Sequence, residues 1–288
     1  MDAPTTPAVR RGSVVVDGNR IAYVECGRAD APPVILVHGL MSDSGTWQEV
    51  LEPLAALGLR AIAIDLLGHG RSDAPPGLYL LDDFALLLDG FMAGLDLRDA
   101  TQCGHSLGGA IAVHFGYHYP DRVDRLVLVS AGGLGREVSW GLRMLALPGA
   151  ERLTGAVMGR TFVQRVLRSA LVHRLFRVTP ERMVNLRRIG RTLFRADMRA
   201  AFFRSLRGVI GPRGQLGSFL EMEYLAAHLP TMLVWSQQDV VIPVAHAHRT
   251  HEHLPGSELV VFRGGGHEPH RRNAAEFANA AAAFVLIK

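Results

Sequence analysis

The sequence predicts an α/β protein whose mostly parallel sheet is covered by helices on both faces. Three observations carry this: a hairpin signal near the start, six short apolar runs after it, and helical spacing between those runs. The first element, "SVVVDGNRIAYVEC", reads as two strands around Asp17-Gly18, a dipeptide suited to a tight turn. "PPVILVHG" follows as a continuous apolar run ending in glycine, the pattern of a parallel strand buried on both sides. The spacing then predicts a helix from Trp47 to Leu57, a strand at "RAIAIDLLGHG" and a helix from Leu80 to Leu95. "TQCGHS", "DRVDRLVLVSAGG", "PTMLVWSQQD" and "SELVVFRGGGH" supply four more strands.

This rhythm stops once, from about Leu134 to about Leu220, where only Arg-rich helical segments such as "TFVQRVLRSALVHRLF" and "ERMVNLRRIGRTLF" are found. We therefore expect a core formed by residues 1–133 and 221–288, with 134–220 as a helical lid inserted after the fourth parallel strand and lying over the strand ends. Its Leu, Val and Phe residues recur at helical spacing and should roof a pocket, with the arginines facing water.

Composition narrows the function. A chain of 288 residues with 48% hydrophobic and 20% charged residues can bury a large core, which excludes coiled-coil and disordered classes. Cys26 and Cys103 fall in separate strand-like runs, so they are expected as buried free thiols. Together with the absence of an apolar leader or membrane-length run, they favour a cytoplasmic protein. Between Leu134 and Arg213 there are seventeen arginines against four acids, Glu137, Glu151, Glu181 and Asp197. Such an excess can attract anionic ligands, but amphipathic helices also snorkel arginine for solubility, and no nucleic-acid motif accompanies it. Nucleic acid is not expected as a partner.

The chemistry centres on "GHSLGG". Ser106 lies between Gly104 and Gly108 at a strand-to-helix junction, where a sharp turn lifts a serine above the sheet and side chains on either side would collide. The positive end of the following helix points at the site, and the N–H of Leu107 can donate to a developing oxyanion. A serine hydroxyl needs a base to become a nucleophile, and the base needs an orienting acid. "GGGHEP" places His267 just after the last strand, and "WSQQDVVIP" places Asp239 just after the strand before it. Three such residues at the C-terminal ends of three strands form a site, because ligands bind there in open α/β sheets. "VILVHGLMSDSGTW" offers the second oxyanion donor, the N–H of Leu40, while His38 is read as ordering that loop.

The motifs "LVHG" (36–39), "DLLGHGRSD" (65–73), "GHSLGG", "WSQQDVVIP" and "GGGHEPH" resemble those of the α/β-hydrolase superfamily, over nearly the whole chain. The block "LVLVSAGGLGREVSWGLRMLALPGAERL" also resembles an actinobacterial subgroup that is mostly uncharacterised. The resemblance implies an α/β-hydrolase fold and a catalytic triad in the chain order Ser106, Asp239, His267. It also argues against dehalogenases and epoxide hydrolases, which carry Asp where this chain has Ser106. Carbon–carbon bond hydrolases of that family usually read Gly-Asn-Ser, whereas His105 stands here in the middle.

Other conspicuous residues have simpler readings. "HAHRTHEH" (His246, His248, His251, His253) approaches a metal-hydrolase pattern, but Thr250 stands in place of the needed aspartate, so a surface helix is expected. His270 is expected on the site rim, His69 in a tight structural loop, and Cys103 in the core. The expected function is carboxylic ester hydrolysis through an acyl-enzyme, with a small-molecule acyl ester or thioester as partner and no cofactor or metal. Acyl thioester cleavage or acyl transfer is the main alternative, since the same triad serves both. A C–C bond hydrolase, a ligand receptor that keeps its triad and metal-dependent hydrolysis are the remaining ones.

Overall fold

The computed structural model describes residues 8–158, 188–217 and 229–287. The hairpin is formed by β1 (Arg10–Val16) and β2 (Asn19–Cys26), paired antiparallel through Val16 and Asn19. Asp17 and Gly18 both have positive φ, 49° and 77°, as a two-residue turn matching strand twist requires. Four parallel strands follow: β3 (Pro33–Val37), β4 (Arg60–Ile64), β5 (Ala100–His105) and β6 (Val123–Val129).

A separate antiparallel ladder joins β7 (Ile210–Gly211) to β8 (Gly214–Gln215), and β9 (Thr231–Ser236) and β10 (Glu258–Phe262) complete the main sheet. The order of that eight-stranded sheet is β1-β2-β4-β3-β5-β6-β9-β10, antiparallel only where β2 meets β1 and β4. All six apolar runs thus lie side by side as parallel strands.

Alternating side chains of these strands serve two cores. Ile35, Val37, Ile62, Ile64, Leu126, Leu128, Leu233 and Trp235 pack with Phe84 and Phe91 of α2 (Leu81–Ala93) and with Ile111 and Phe115 of α3 (Leu107–His118). Val34, Leu36, Ala61, Ala63, Cys103, Val127 and Val234 face the other way, onto α1 (Gln48–Ala56) and, at the end of the chain, the helix Ala274–Leu286. Burial on both faces explains why the strands read as unbroken apolar runs. Trp47, Phe84, Phe91, Phe115, Trp235 and Phe277 are fully buried, each worth about 1.5–3 kcal/mol relative to exposure. The expected Trp47–Leu57 helix is preceded by a 3₁₀ turn, Ser44–Trp47, whose Gly45 N–H donates to the Asp43 carboxylate and whose Ser44 N–H donates to that of Asp65.

After β6 come α4 (Trp140–Leu145), α5 (Ala150–Met158), helical residues 188–194 and α6 (Ala196–Val209). "TFVQRVLRSALVHRLF" and the start of "ERMVNLRRIGRTLF" lie outside the described residues. Two features depart from the expectation for 134–220. The β7–β8 ladder adds strand pairing to a stretch read as purely helical; with two residues per strand it carries no period that a sequence can display. Nor do all the arginines face water, because Arg188 is only 7% exposed and its guanidinium meets the Asp43 carboxylate at 3.0 Å. Phe202, Phe203, Leu206, Ile210 and Ala146 form a small core of their own beneath this segment. After β9 come α7 (Ala245–His253), α8 (Pro269–Arg272) and α9 (Ala274–Leu286).

Candidate active site

Ser106 occupies the junction of β5 and α3 with φ 54° and ψ −117°, a conformation that a residue with a Cβ adopts only where its surroundings hold it. The holding contacts are visible. Ser106 donates its N–H to Val129 O at 3.0 Å, and its carbonyl accepts from Gly109 N at 3.0 Å and Gly132 N at 2.9 Å. A Cβ on Gly104 would strike the carbonyl of Gly108, and one on Gly108 would strike the carbonyl of Val37, so both glycines are required by close backbone approach. Gly39 is equally constrained: a Cβ there would lie 2.9 Å from Ser106 Cβ.

This packing sets the loop after β3 against the nucleophile candidate. Leu40 and Leu107 both line the cavity that contains Ser106. Among the described residues neither of their N–H groups is taken by another acceptor. His38 is fully buried: Nδ1 lies 2.8 Å from Gly39 O, while Nε2 accepts from Leu66 N at 3.1 Å, tying β3 to the loop after β4. Burial holds its pKa down to about 4, so this neutral tautomer persists at pH 7. His69, its ring tilted against that of His38 with centroids 5.1 Å apart, is likewise buried and held to about 4.

Asp239 and His267 meet across the ends of β9 and β10. His267 Nδ1 lies 2.9 Å and 3.2 Å from the two carboxylate oxygens. The Asp239 side chain has no exposure, and Oδ1 also accepts from Val241 N at 2.9 Å and Ile242 N at 3.0 Å. Burial alone would raise its pKa; the hydrogen bond and charge of His267 and the two N–H groups outweigh that and leave it lowered. An ionised Asp239 accepts from Nδ1–H and leaves Nε2 free to take a proton.

His105, the residue before Ser106, links the β5–α3 junction to the loop that carries His267: its Nε2 lies 2.7 Å from His267 O, with ring centroids 4.8 Å apart. Among the described hydrogen bonds, none joins Ser106 Oγ to His267; such contacts often tighten only when substrate is bound.

The cavity beside Ser106 has a volume of about 280 Å³ and is mostly apolar. Val138, Leu142, Val209, Ile210 and Leu216 from the 134–220 stretch form one side, with Leu81 and Ile242 from the core. Gln215 closes it by accepting from Gly133 N at 2.7 Å and donating to Glu137 O at 3.2 Å. A larger cleft, about 1260 Å³, contains none of Ser106, Asp239 and His267. Four of its five arginines already face carboxylates: Arg188 and Arg191 meet Asp43, Arg71 meets Asp65, and Arg271 meets Glu49.

His270 sits where the sequence did not indicate, and His246 lies deeper than a surface helix implies. His270, expected on the rim, is fully buried, its ring tilted against Trp47 with centroids 4.3 Å apart and against His105 at 4.8 Å. Pro269 starts a helical turn that directs it inward, a step invisible in "GGGHEPH". His246, His248, His251 and His253 lie on α7; His246 is buried against Glu137 at 2.8 Å, and His251 and His253 bond Ser257 Oγ and Arg249 O. Cys26 and Cys103 are free and buried, and burial pushes the Cys103 thiol up, away from any nucleophilic role. Sequence reading also missed the cavity wall and the His105–His267 link, since helix faces and loop contacts are set by tertiary packing.

Comparison with known proteins agrees with this architecture. An uncharacterized protein of Mycobacterium tuberculosis is 36% identical over 281 residues, covering 94% of this chain and 79% of its own. The crystal structure of an esterase from Rhodococcus sp. superposes with a TM-score of 0.68 at 25% identity, over 96% of this chain and 98% of that one. A meta-cleavage product hydrolase from Pseudomonas fluorescens gives 0.69 at 26%, over 95% and 96%. The family model of the alpha/beta hydrolase fold matches residues 32–273, and the chain belongs to that family.

Proposed function

We propose that this protein is a serine hydrolase that cleaves carboxylic esters with apolar acyl groups, using Ser106 as nucleophile, His267 as base and Asp239 as the acid that orients it. The observation that carries the reading is Ser106 held at positive φ in the wall of an apolar cavity, next in sequence to a His105 that bonds His267, whose own Nδ1 is engaged by a buried Asp239.

In this scheme Ser106 Oγ adds to the acyl carbonyl carbon while His267 Nε2 takes its proton. The carbonyl π pair moves onto oxygen, where the N–H groups of Leu40 and Leu107 stabilise the charge. Collapse of the adduct breaks the bond to the alcohol oxygen, which leaves with the proton from His267. A water molecule, giving its proton to His267, then attacks the acyl-enzyme, and Ser106 departs with that proton. The acyl chain is expected to lie along Leu40, Val138, Leu142 and Ile210, so the 134–220 stretch serves as a lid that sets acyl selectivity and excludes water.

The described arginines of that stretch mostly engage the protein itself: Arg143 bonds Pro212 O, Arg199 bonds Leu193 O, Arg204 bonds Gly77 O and Arg207 bonds Glu151. They are therefore committed to structure rather than to an anionic leaving group. A panel of p-nitrophenyl esters and coenzyme A thioesters of graded acyl length tests the reading. Faster turnover of esters, with an optimum at short to medium chains, is expected; faster turnover of thioesters throughout would reassign the substrate class.

A further inference from the structure

Away from Ser106, one cluster of side chains has the arrangement of a metal site. His114 and His118, in "HFGYH", lie one turn apart on α3 and so project from the same face. Asp82, in the first turn of α2, stands opposite them. Its Oδ1 lies 2.7 Å from His114 Nε2 and 3.7 Å from His118 Nε2, and the two imidazole centroids are 4.5 Å apart. One donor atom from each of the three residues falls within 4.8 Å of the others.

A simple ion pair would account for His114 and Asp82 alone. It does not account for the second imidazole, which sits beyond hydrogen-bond reach of the same oxygen and, if both rings were protonated, would repel its neighbour. Three donors converging on one point are explained by a shared cation. Ligands about 2.1 Å from a tetrahedral ion stand roughly 3.4 Å from one another, so the His118–Asp82 separation is close to fitting, the His114–Asp82 hydrogen bond opens by about 0.7 Å, and the two imidazole donors, within 4.8 Å of each other, close by at most about 1.4 Å.

Side-chain exposures of 16% for His114, 44% for His118 and 69% for Asp82 leave a route for entry and room for a water ligand. Two imidazoles with a single carboxylate suit zinc, nickel or copper and leave too few oxygens for calcium or magnesium.

We infer that Asp82, His114 and His118 form a surface site for a divalent transition metal of the zinc class, which fastens the start of α2 to the end of α3. The cluster is separate from the hydrolytic site: His114 lies eight residues beyond Ser106 on α3, about 12 Å along its axis, and none of the three lines the Ser106 cavity. Leu81, the neighbour of Asp82, does line that cavity, so the ion would steady one of its walls against the helix that follows Ser106.

The test is calorimetric titration of chelator-treated protein with zinc chloride, paired with thermal unfolding with and without zinc, for the wild type, His118→Ala and Asp82→Asn. Both substitutions are at exposed side chains, and circular dichroism checks that each variant folds. The wild type is expected to bind one ion at this site with micromolar or tighter affinity and to unfold at higher temperature when zinc is present, and each variant to lose affinity at least about tenfold and to lose the thermal shift. Equal binding and equal shifts in all three proteins would overturn the inference, because the zinc would then sit on other histidines. Absence of saturable binding by the wild type would overturn it as well.

Discussion

His105 donates from Nε2 to the main-chain carbonyl of His267 across 2.7 Å, joining the residue before Ser106 to the proposed base. A carbonyl only accepts, so Nε2 carries the proton and the buried Nδ1 is bare, without a partner. Burial, with His267 nearby, holds His105 to about 4 and keeps it in this neutral form at pH 7. The strand bearing the serine and the loop bearing the base are thereby fixed relative to each other.

His105→Ala removes this tie without touching the proposed reacting groups. We expect kcat to fall by about 10- to 100-fold, with KM changed far less, because sub-ångström misplacement of a base is costly. His105→Gln, which keeps a donor, should recover part of the loss. Unchanged kcat in His105→Ala would show that His267 is positioned by other contacts.

Asp239→Asn keeps the shape of the side chain and removes the charge that fixes the His267 tautomer. Steady-state ester hydrolysis should fall on the order of 10²–10⁴-fold in kcat. No second carboxylate stands at the end of β6, where Ser130 and Ala131 follow the strand. Full activity in the variant would move the orienting acid elsewhere.

Much of this site was legible because its residues lie where chain direction changes. Gly104, Ser106 and Gly108 mark the strand-to-helix turn, and Asp239 and His267 follow apolar runs that could only be strands. Asp17-Gly18 fixed the first hairpin in the same way. What could not be read depends on contacts between segments distant in sequence. Arg188 reaches Asp43 across most of the chain, His270 turns inward onto Trp47, and Asp82 meets His114 and His118 only because α2 packs on α3. Helical spacing predicts apolar faces in 134–220, but not that Val138 and Leu142 reach the Ser106 cavity.

The acyl wall can be tested at Leu142. Leu142→Trp places a larger side chain in a cavity of about 280 Å³. kcat/KM for hexanoyl and octanoyl esters should drop well below wild type while acetyl ester turnover is nearly kept. Equal losses at every chain length would show that α4 does not bound the acyl group.

Buried neutral histidines predict acid lability. His38, His69 and His105 are held to about 4 by desolvation, and His270 is also held well below 6.5, its usual value. The unfolded chain protonates His38, His69 and His105 near pH 6.5, the folded chain only near 4. Unfolding therefore takes up protons in that window, and stability, complete above about pH 6.5, falls as pH drops toward 4, by up to about 1.4 kcal/mol per pH unit for each histidine. Urea denaturation at pH 7.5, 6 and 5 checks this. A flat free energy of unfolding across those values would show that the folded protein admits the protons freely.

The most direct measurement is intact-protein mass spectrometry of samples quenched within milliseconds of mixing with p-nitrophenyl butyrate, for the wild type and Ser106→Ala, with steady-state rates alongside. The wild type should gain one butyryl group on the peptide containing Ser106 during turnover, and Ser106→Ala should show no adduct and a kcat lower by on the order of 10⁴-fold or more. An acyl adduct on another residue, or more than about a tenth of wild-type turnover by Ser106→Ala, would contradict the account.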